Sequence, residues 1–174
     1  VEYTMQAILH CDREWGIGKN GTLMFSIPKD MKFFRSTTLG KVVVMGSRTL
    51  DSFPGGKPLK KRTNIVLSTR ISEERAREDG FVLVRSKSEL FCELKKYDSD
   101  DVFIIGGAQL YYTMLPYMDR VLVTKVDAVG GADTFFHDLD SDPDWRLEKE
   151  GESVEDNGYS IRFCTYVNLN RRLF

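Results

Sequence analysis

Val102-Phe103-Ile104-Ile105-Gly106-Gly107-Ala108-Gln109 decides how this chain folds. Four apolar residues run into two glycines, and a helix-forming stretch over Ala108–Leu115 follows. A continuous apolar run of this length is what a strand covered on both faces looks like. With no Cβ in the way, the first N–H groups of the helix lie open to an anion such as phosphate. Val42-Val43-Val44-Met45-Gly46-Ser47-Arg48-Thr49 repeats the pattern with a single glycine. Glycine after a strand often only permits tight helix packing, so one junction alone is weak evidence. Two junctions can hold the two ends of a dinucleotide, because ligands of open α/β sheets gather at the carboxyl ends of strands. The GxGxxG fingerprint is absent.

Outward from these junctions, strands are expected at Thr4–Leu9, Val42–Met45, Asn64–Leu67, Phe81–Val84, Val102–Ile105, Val121–Val126 and Tyr159–Val167. Helices are expected at Pro28–Thr38, Ser47–Phe53, Lys87–Lys96 and Ala108–Leu115, with Ser86 and Glu89 placed to form a capping box before the third. The alternation predicts an α/β fold with a largely parallel sheet. Cys11–Ser26, Pro54–Arg62 and Ala128–Asp144 read as long loops, a class that tends to be functional.

The 174 residues suit one domain over 1–174, and a net charge of −1 gives no electrostatic reason for nucleic-acid binding. No apolar run approaches the roughly 20 residues of a membrane span, and the first residues do not resemble a signal peptide, so a cytoplasmic location is expected. Cys11, Cys92 and Cys164 are odd in number and widely spaced, which predicts buried reduced thiols. His10 and His137 are the only histidines, and no Cys/His cluster has metal-ligand spacing, so no metal is expected.

Asp30 is the most informative single residue. In Ser26-Ile27-Pro28-Lys29-Asp30-Met31-Lys32-Phe33-Phe34-Arg35, Pro28 fits a first helical turn. Met31, Phe34 and Thr38 recur at helical spacing on one side, with Lys29, Lys32, Arg35 and Ser36 on the other. Phe33 and Phe34 follow Asp30 at i+3 and i+4, so the carboxylate shares an apolar face. Burying it unpaired is costly, so it must be paired, protonated or functional. The bland alternative is an acid complementing the helix macrodipole. Arg48, with Ser68-Thr69-Arg70 at the end of another strand, supplies polar and basic groups suited to a 2′-phosphate, hence NADP rather than NAD; each Arg alone also reads as a solvated charge. Arg62 can fork onto a carboxylate, or sit in a solvated basic loop. Thr124, alternating with apolar neighbours, can be simply a good strand former.

Together these residues resemble dihydrofolate reductase over nearly the whole chain. Gly16-Ile17-Gly18-Lys19-Asn20-Gly21 is similar to that family's active-site loop, Ile27-Pro28-x-Asp30-Met31-x-x-Phe34 to its substrate helix, and Val44-Met45-Gly46-x-x-Thr49 to its first cofactor junction. Arg62-x-Asn64-x-Val66-Leu67-Ser68, Ile104-Ile105-Gly106-Gly107-Ala108-x-x-Tyr111, Val123-Thr124-x-Val126-Asp127, Ala132-Asp133-Thr134-Phe135-Phe136 and Tyr159-x-Ile161-x-Phe163 follow in order. Each motif is weak alone; their order and spacing are specific.

The resemblance implies a central, mixed, mostly parallel eight-stranded sheet flanked by about four helices, with a C-terminal antiparallel hairpin. It implies hydride transfer from NADPH to C6 of 7,8-dihydrofolate with protonation at N5, in a monomer that also takes antifolate inhibitors. Catalytic roles fall on Asp30, Thr124, Tyr111 and Phe25. Ile8, Met31, Phe34, Leu59 and Arg62 would bind substrate. His10, Ile17, Gly18, Gly46, Ser47, Arg48, Thr49, Ser68, Thr69, Arg70, Ile105, Gly106, Gly107, Ala108, Gln109 and Leu110 would bind the cofactor. The chain departs from the family where Leu-Pro-Trp is usual and Leu23-Met24-Phe25 stands, and where Ala is usual and His10 stands. Ser47 replaces a frequent basic residue, Leu50 a usual aromatic and Gln109 an Arg found in some members. Two other readings are a reductase of riboflavin synthesis, which lacks the acid and the Arg, and a pteridine- or NADP-binding protein without efficient turnover.

Overall fold

The structure, a computed structural model, describes residues 5–174. Thr4, expected to open the first strand, lies outside the described residues. The elements are β1 (Gln6–Cys11), β2 (Gly16–Gly18), α1 (Pro28–Thr38), β3 (Val42–Gly46), α2 (Ser47–Ser52), β4 (Thr63–Leu67), α3 (Glu73–Asp79), β5 (Val82–Val84), α4 (Lys87–Leu94), β6 (Val102–Gly106), α5 (Ala108–Met114), β7 (Arg120–Val126), β8 (Thr134–Phe135), β9 (Trp145–Glu150), β10 (Val154–Asp156) and β11 (Tyr159–Asn168).

The main sheet runs β10-β11-β7-β1-β6-β3-β4-β5, with β9 also paired to β11. Neighbours from β7 to β5 are parallel, whereas β11 is antiparallel to β7, β9 and β10. The expected mixed, mostly parallel sheet with a C-terminal antiparallel hairpin is therefore present. Period-2 alternation splits the strands between two cores. Val42, Val44 and Ile65 join Leu90, Leu94, Leu110 and Met114 of α4 and α5. Val43, Met45 and Val66 join Leu50 and Ala76 of α2 and α3 on the opposite face. Fully burying one such aliphatic side chain stabilises the fold by about 1.5–3 kcal/mol.

Helix α1 packs on the sheet at β1 and β11. Its inward stripe is Asp30, Phe33, Phe34, Thr37 and Thr38, at i, i+3, i+4, i+7 and i+8. Phe33 meets Phe163 of β11 at 4.9 Å between ring centroids. Met31, expected on the apolar side with Phe34 and Thr38, lies off this stripe and is 54% exposed.

Helix α3 and strands β9 and β10 lie outside the expected elements. Glu-Glu-Arg-Ala-Arg-Glu-Asp of α3 buries only Ala76 and therefore has no apolar stripe to read. Its ends are set by caps: Ser72 Oγ accepts from Arg75 N at 3.1 Å, and Gly80 takes a left-handed conformation. The expected loops Cys11–Ser26 and Ala128–Asp144 contain β2 and β8, which pair as a separate two-stranded sheet. Cys11 and Cys164 are buried, but Cys92, expected buried, is exposed. In α4 the buried stripe is Leu90 and Leu94, and a residue two positions from either faces away. No helix of the described residues is long and apolar enough to cross a membrane.

Candidate active site

The two glycine junctions lie side by side. Strands β3 and β6 pair Val44 with Ile104, then slip at an irregularity that sets Met45 opposite Gly106. Gly46 and Gly107 precede α2 and α5, and neither helix receives a side-chain cap. Their first N–H groups are thus available to an anion. Gly106 sits at φ +127°, where a side chain would be strained, and a Cβ there would come 3.2 Å from Thr49 Oγ1. This close approach of backbone to Thr49 is a cradle that a larger residue would fill, and it fits a dinucleotide laid across both junctions.

Beyond β3, the end of β4 carries Ser68, Thr69 and Arg70. Ser68 Oγ accepts from Arg70 N (3.1 Å) and Ile71 N (3.2 Å), so its hydroxyl shapes the turn. Arg85 Nη1 donates to the Ser68 and Ile71 carbonyls at 3.1 and 2.6 Å and holds the turn in place. Thr69, Arg70 and Arg48 are exposed, as are Gly107 and Gln109; Ser47 and Ala108 are half-buried and Leu110 is buried. Ile17 packs at the edge of the core, half-buried Ile105 borders the second core, and Gly18 pairs with Thr134 of β8.

On the other side of β6 lie β1 and β7. Their register sets Ile8 opposite Leu122 and His10 opposite Thr124, and β11 sets Phe163 on the far side of Thr124. Tyr111, fully buried, donates its hydroxyl to the Ile8 carbonyl at 3.0 Å. Burial pushes its phenol well above the ordinary range, so it stays a neutral donor. Asp30 reaches in from α1, its side chain only 14% exposed, and Oδ2 lies 2.9 Å from His10 Nδ1. Phe25 is buried with its ring 6.1 Å from that of His10 and 4.9 Å from that of Tyr159.

Asp30 does lie in the first turn of α1, as the macrodipole reading requires, but its carboxylate is engaged by His10 and it is not the only acid at that helix end. Ile27 provides no side-chain cap, and Asp156 from β10 accepts the Lys29 N–H at 2.6 Å. An acid from the hairpin already serves that helix end. At the other end of α1, Arg62 donates from Nε to Thr38 Oγ1 (3.2 Å), from Nη1 to the Lys60 carbonyl (2.8 Å) and from Nη2 to the Arg35 carbonyl (3.2 Å). Leu59 is fixed by Asn64, which accepts from its N–H at 3.0 Å and donates to its carbonyl at 2.8 Å.

Two residues that build the site, Asp12 and Gly130, were not singled out by sequence. The buried Asp12 carboxylate accepts N–H groups of Glu14 (2.9 Å), Gly16 (2.8 Å) and Gly130 (3.0 Å), rooting the Gly16–Gly21 loop on the segment after β7. Asp133 Oδ2 accepts the Asn20 N–H at 2.9 Å further along that loop. A Cβ on Gly130 would collide with Met24 Cε and lie 3.0 Å from Phe25 Cζ, so the absence of a side chain there makes room for both. An acid immediately after a buried strand was the available signal for Asp12; nothing local marks Gly130.

A largely parallel sheet with paired glycine junctions, and a half-buried acid on α1 facing its central strands, defines an α/β protein of the nucleotide-binding class. The family model for dihydrofolate reductase matches residues 4–168, and the chain belongs to that family. It is 36% identical over 157 residues to dihydrofolate reductase type 3 of Salmonella typhimurium, covering 90% of this chain and 91% of that one. To the dihydrofolate reductase of Haemophilus influenzae it is 34% identical, covering 84% and 88%. The solved structure of dihydrofolate reductase from Enterococcus faecalis complexed with NADP(H) and RAB-propyl superposes with a TM-score of 0.79 at 28% identity, covering 97% of this chain and 99% of that one.

Proposed function

We propose that this chain reduces 7,8-dihydrofolate to 5,6,7,8-tetrahydrofolate with NADPH, and that the residues brought together above perform it. The observation that supports this most is Asp30, held on the inward stripe of α1 beside the strand ends where the glycine junctions meet. NADPH, when bound, supplies a hydride from nicotinamide C4 to pterin C6.

The protein's own groups do the rest. Asp30 accepts from the pterin 2-amino group and N3, with Thr124 joining through water, and so fixes the ring for protonation at N5. Phe34, Ile8 and Leu59 flank the pterin and benzoyl rings, and Met31, exposed off the inward stripe of α1, would reach them only from the solvent side. Arg62 keeps one N–H on each terminal nitrogen beyond its bonds to Lys60 and Arg35, which suits a two-point grip on the tail's α-carboxylate. Tyr111, locked to Ile8, and Ile105 to Leu110 form the nicotinamide side, while Gly46 to Thr49 and Ser68 to Arg70 take the phosphates. Residues 16–25 close over the hydride path and exclude water. The chain works as a cytoplasmic monomer.

NADPH oxidation measured with and without dihydrofolate, and repeated for Asp30→Asn, tests this. Activity should require dihydrofolate and fall by about 10²–10⁴-fold in the variant. Undiminished turnover in the variant would overturn the role of Asp30, and oxidation independent of dihydrofolate would assign another substrate.

A further inference from the structure

His10 occupies a position that neither the glycine junctions nor the acid of α1 explains. It sits on β1 opposite Thr124, 8% exposed, with Nδ1 2.9 Å from Asp30 Oδ2. Its other ring nitrogen, Nε2, is buried and has no hydrogen-bond partner among the described residues. It is the sole buried side-chain nitrogen or oxygen of the described residues in that condition. Leaving such a group unpaired is costly enough that native structures rarely do so without a reason at a functional site. The carboxylate of Asp30 does not become unavailable by holding His10. An ionised carboxylate offers about four lone-pair sites, so one bond to Nδ1 leaves room for a two-point contact with a ligand.

We propose that His10 is a positioning residue of this site: its Nδ1 fixes the orientation of the Asp30 carboxylate, and its Nε2 pairs with an amide group of a bound ligand. This rests on the dihydrofolate reductase reading, which supplies two such groups, the carboxamide of the nicotinamide and the lactam of the pterin. The carboxamide presents a carbonyl and an N–H, whereas the lactam, its N–H given to Asp30, presents its carbonyl. With Nδ1 donating to Asp30, Nε2 accepts the carboxamide N–H when it carries no proton and donates to either carbonyl when it does. The buried Phe25 ring lies beside His10, which is itself buried, so the bond forms in a setting where an unmade one is expensive. An alanine could serve neither role, and the two nitrogens can be tested separately.

The experiment compares His10→Ala, His10→Asn and His10→Gln in the whole chain. Asn can place an amide near the position of Nδ1, and Gln can extend one toward the position of Nε2. Binary dissociation constants for NADPH and for dihydrofolate are measured by fluorescence titration, alongside kcat, KM and thermal unfolding. His10→Ala should lower kcat by about 10-fold, from a mobile Asp30. His10→Asn should recover most of that loss while its affinity for one ligand stays about 3- to 10-fold weaker. His10→Gln should do the reverse, restoring affinity but not kcat. Weakening confined to NADPH identifies the carboxamide as the partner, and weakening confined to dihydrofolate identifies the lactam. Equal kcat and affinities in the wild type and all three folded variants would overturn the proposal. So would a uniform loss in which neither Asn nor Gln restores its own parameter, since that marks a space-filling role. A wild-type chain without dihydrofolate-dependent NADPH oxidation would instead overturn the underlying reading, and is distinguished by needing no variant.

Discussion

At the scale of single residues, side chains of one type have very different chemistry here, and burial decides which. Cys11 is enclosed among the β1 and β7 side chains, and burial pushes its thiol up to about 12. A thiol is reactive only as thiolate, so Cys11 should be inert at neutral pH. Cys92 is exposed on α4. Brief alkylation of the native protein followed by peptide mass spectrometry should label Cys92 and leave Cys11 unmodified; prompt modification of Cys11 would show that this part of the core opens readily. Arg48 makes a comparable point for charge. It is exposed at the start of α2, next to Gly46, in a stretch where Ser47 contributes no cation. A 2′-phosphate is the one group that separates NADPH from NADH, so Arg48→Ala should weaken NADPH by about 10-fold and leave NADH nearly unchanged. Titration of both cofactors checks this, and equal weakening would remove Arg48 from the 2′-phosphate site.

At the scale of elements, the loop over residues 16–25 is built more firmly than its glycine content suggests. Its root is fastened by the three N–H groups on Asp12, its middle by β2 pairing with β8, and its tip by Asp133 on Asn20. Asp12→Ala would leave buried donors without an acceptor and should cost about 3 kcal/mol of stability by denaturant unfolding. Gly130→Ala should displace Met24 and Phe25, costing about 1–3 kcal/mol and lowering kcat with it. A stable Gly130→Ala protein with normal kcat would mean that the lid does not rely on this packing. These fastenings also mark where sequence stops being legible. The strands β3 and β6 were readable because burial on both faces writes an uninterrupted apolar run. Asp30 was readable because Phe33 and Phe34 follow at helical spacing. The polar α3 buries one residue, and the edge strands β9 and β10 carry charged, exposed side chains, so neither has a periodic signal. The partners of Asp12, and of Asp30 across 20 residues, exist only once β1, α1 and the segment after β7 are folded together.

At the scale of the whole molecule, charge placement sets the pH range over which the fold holds. Asp79 is drawn below the ordinary carboxylate range first by its hydrogen bond from Lys57, with Arg75 assisting, in a cluster that ties α3 to the segment after α2. Asp127, Asp133, Asp138 and Asp142 are also lowered, by Arg13, by the Asn20 N–H, by the Ser141 hydroxyl and by the Asp144 N–H respectively. A carboxylate with a depressed folded-state value contributes stability that is complete above its unfolded value, about 3.9, and is lost as pH falls through the folded one. These five groups therefore generate an acid limb below about pH 4. The opposite limb comes from Cys11, Tyr111 and Tyr166, all raised chiefly by burial. Their contribution is complete below the unfolded values, about 8.5 for Cys and 10 for Tyr, and is lost as pH climbs toward the folded ones. Thermal unfolding followed from acid to alkaline pH should give a plateau through the neutral range with a fall at each end. Asp79→Asn should lower the plateau slightly and make the acid fall shallower, because the lost ion pairs no longer have protons to take up. Cys11→Ala should leave the acid limb intact and delay the onset of the alkaline one. If both variants keep the wild-type pH profile, these two groups do not set the limbs, and the remaining lowered carboxylates and buried phenols carry them instead.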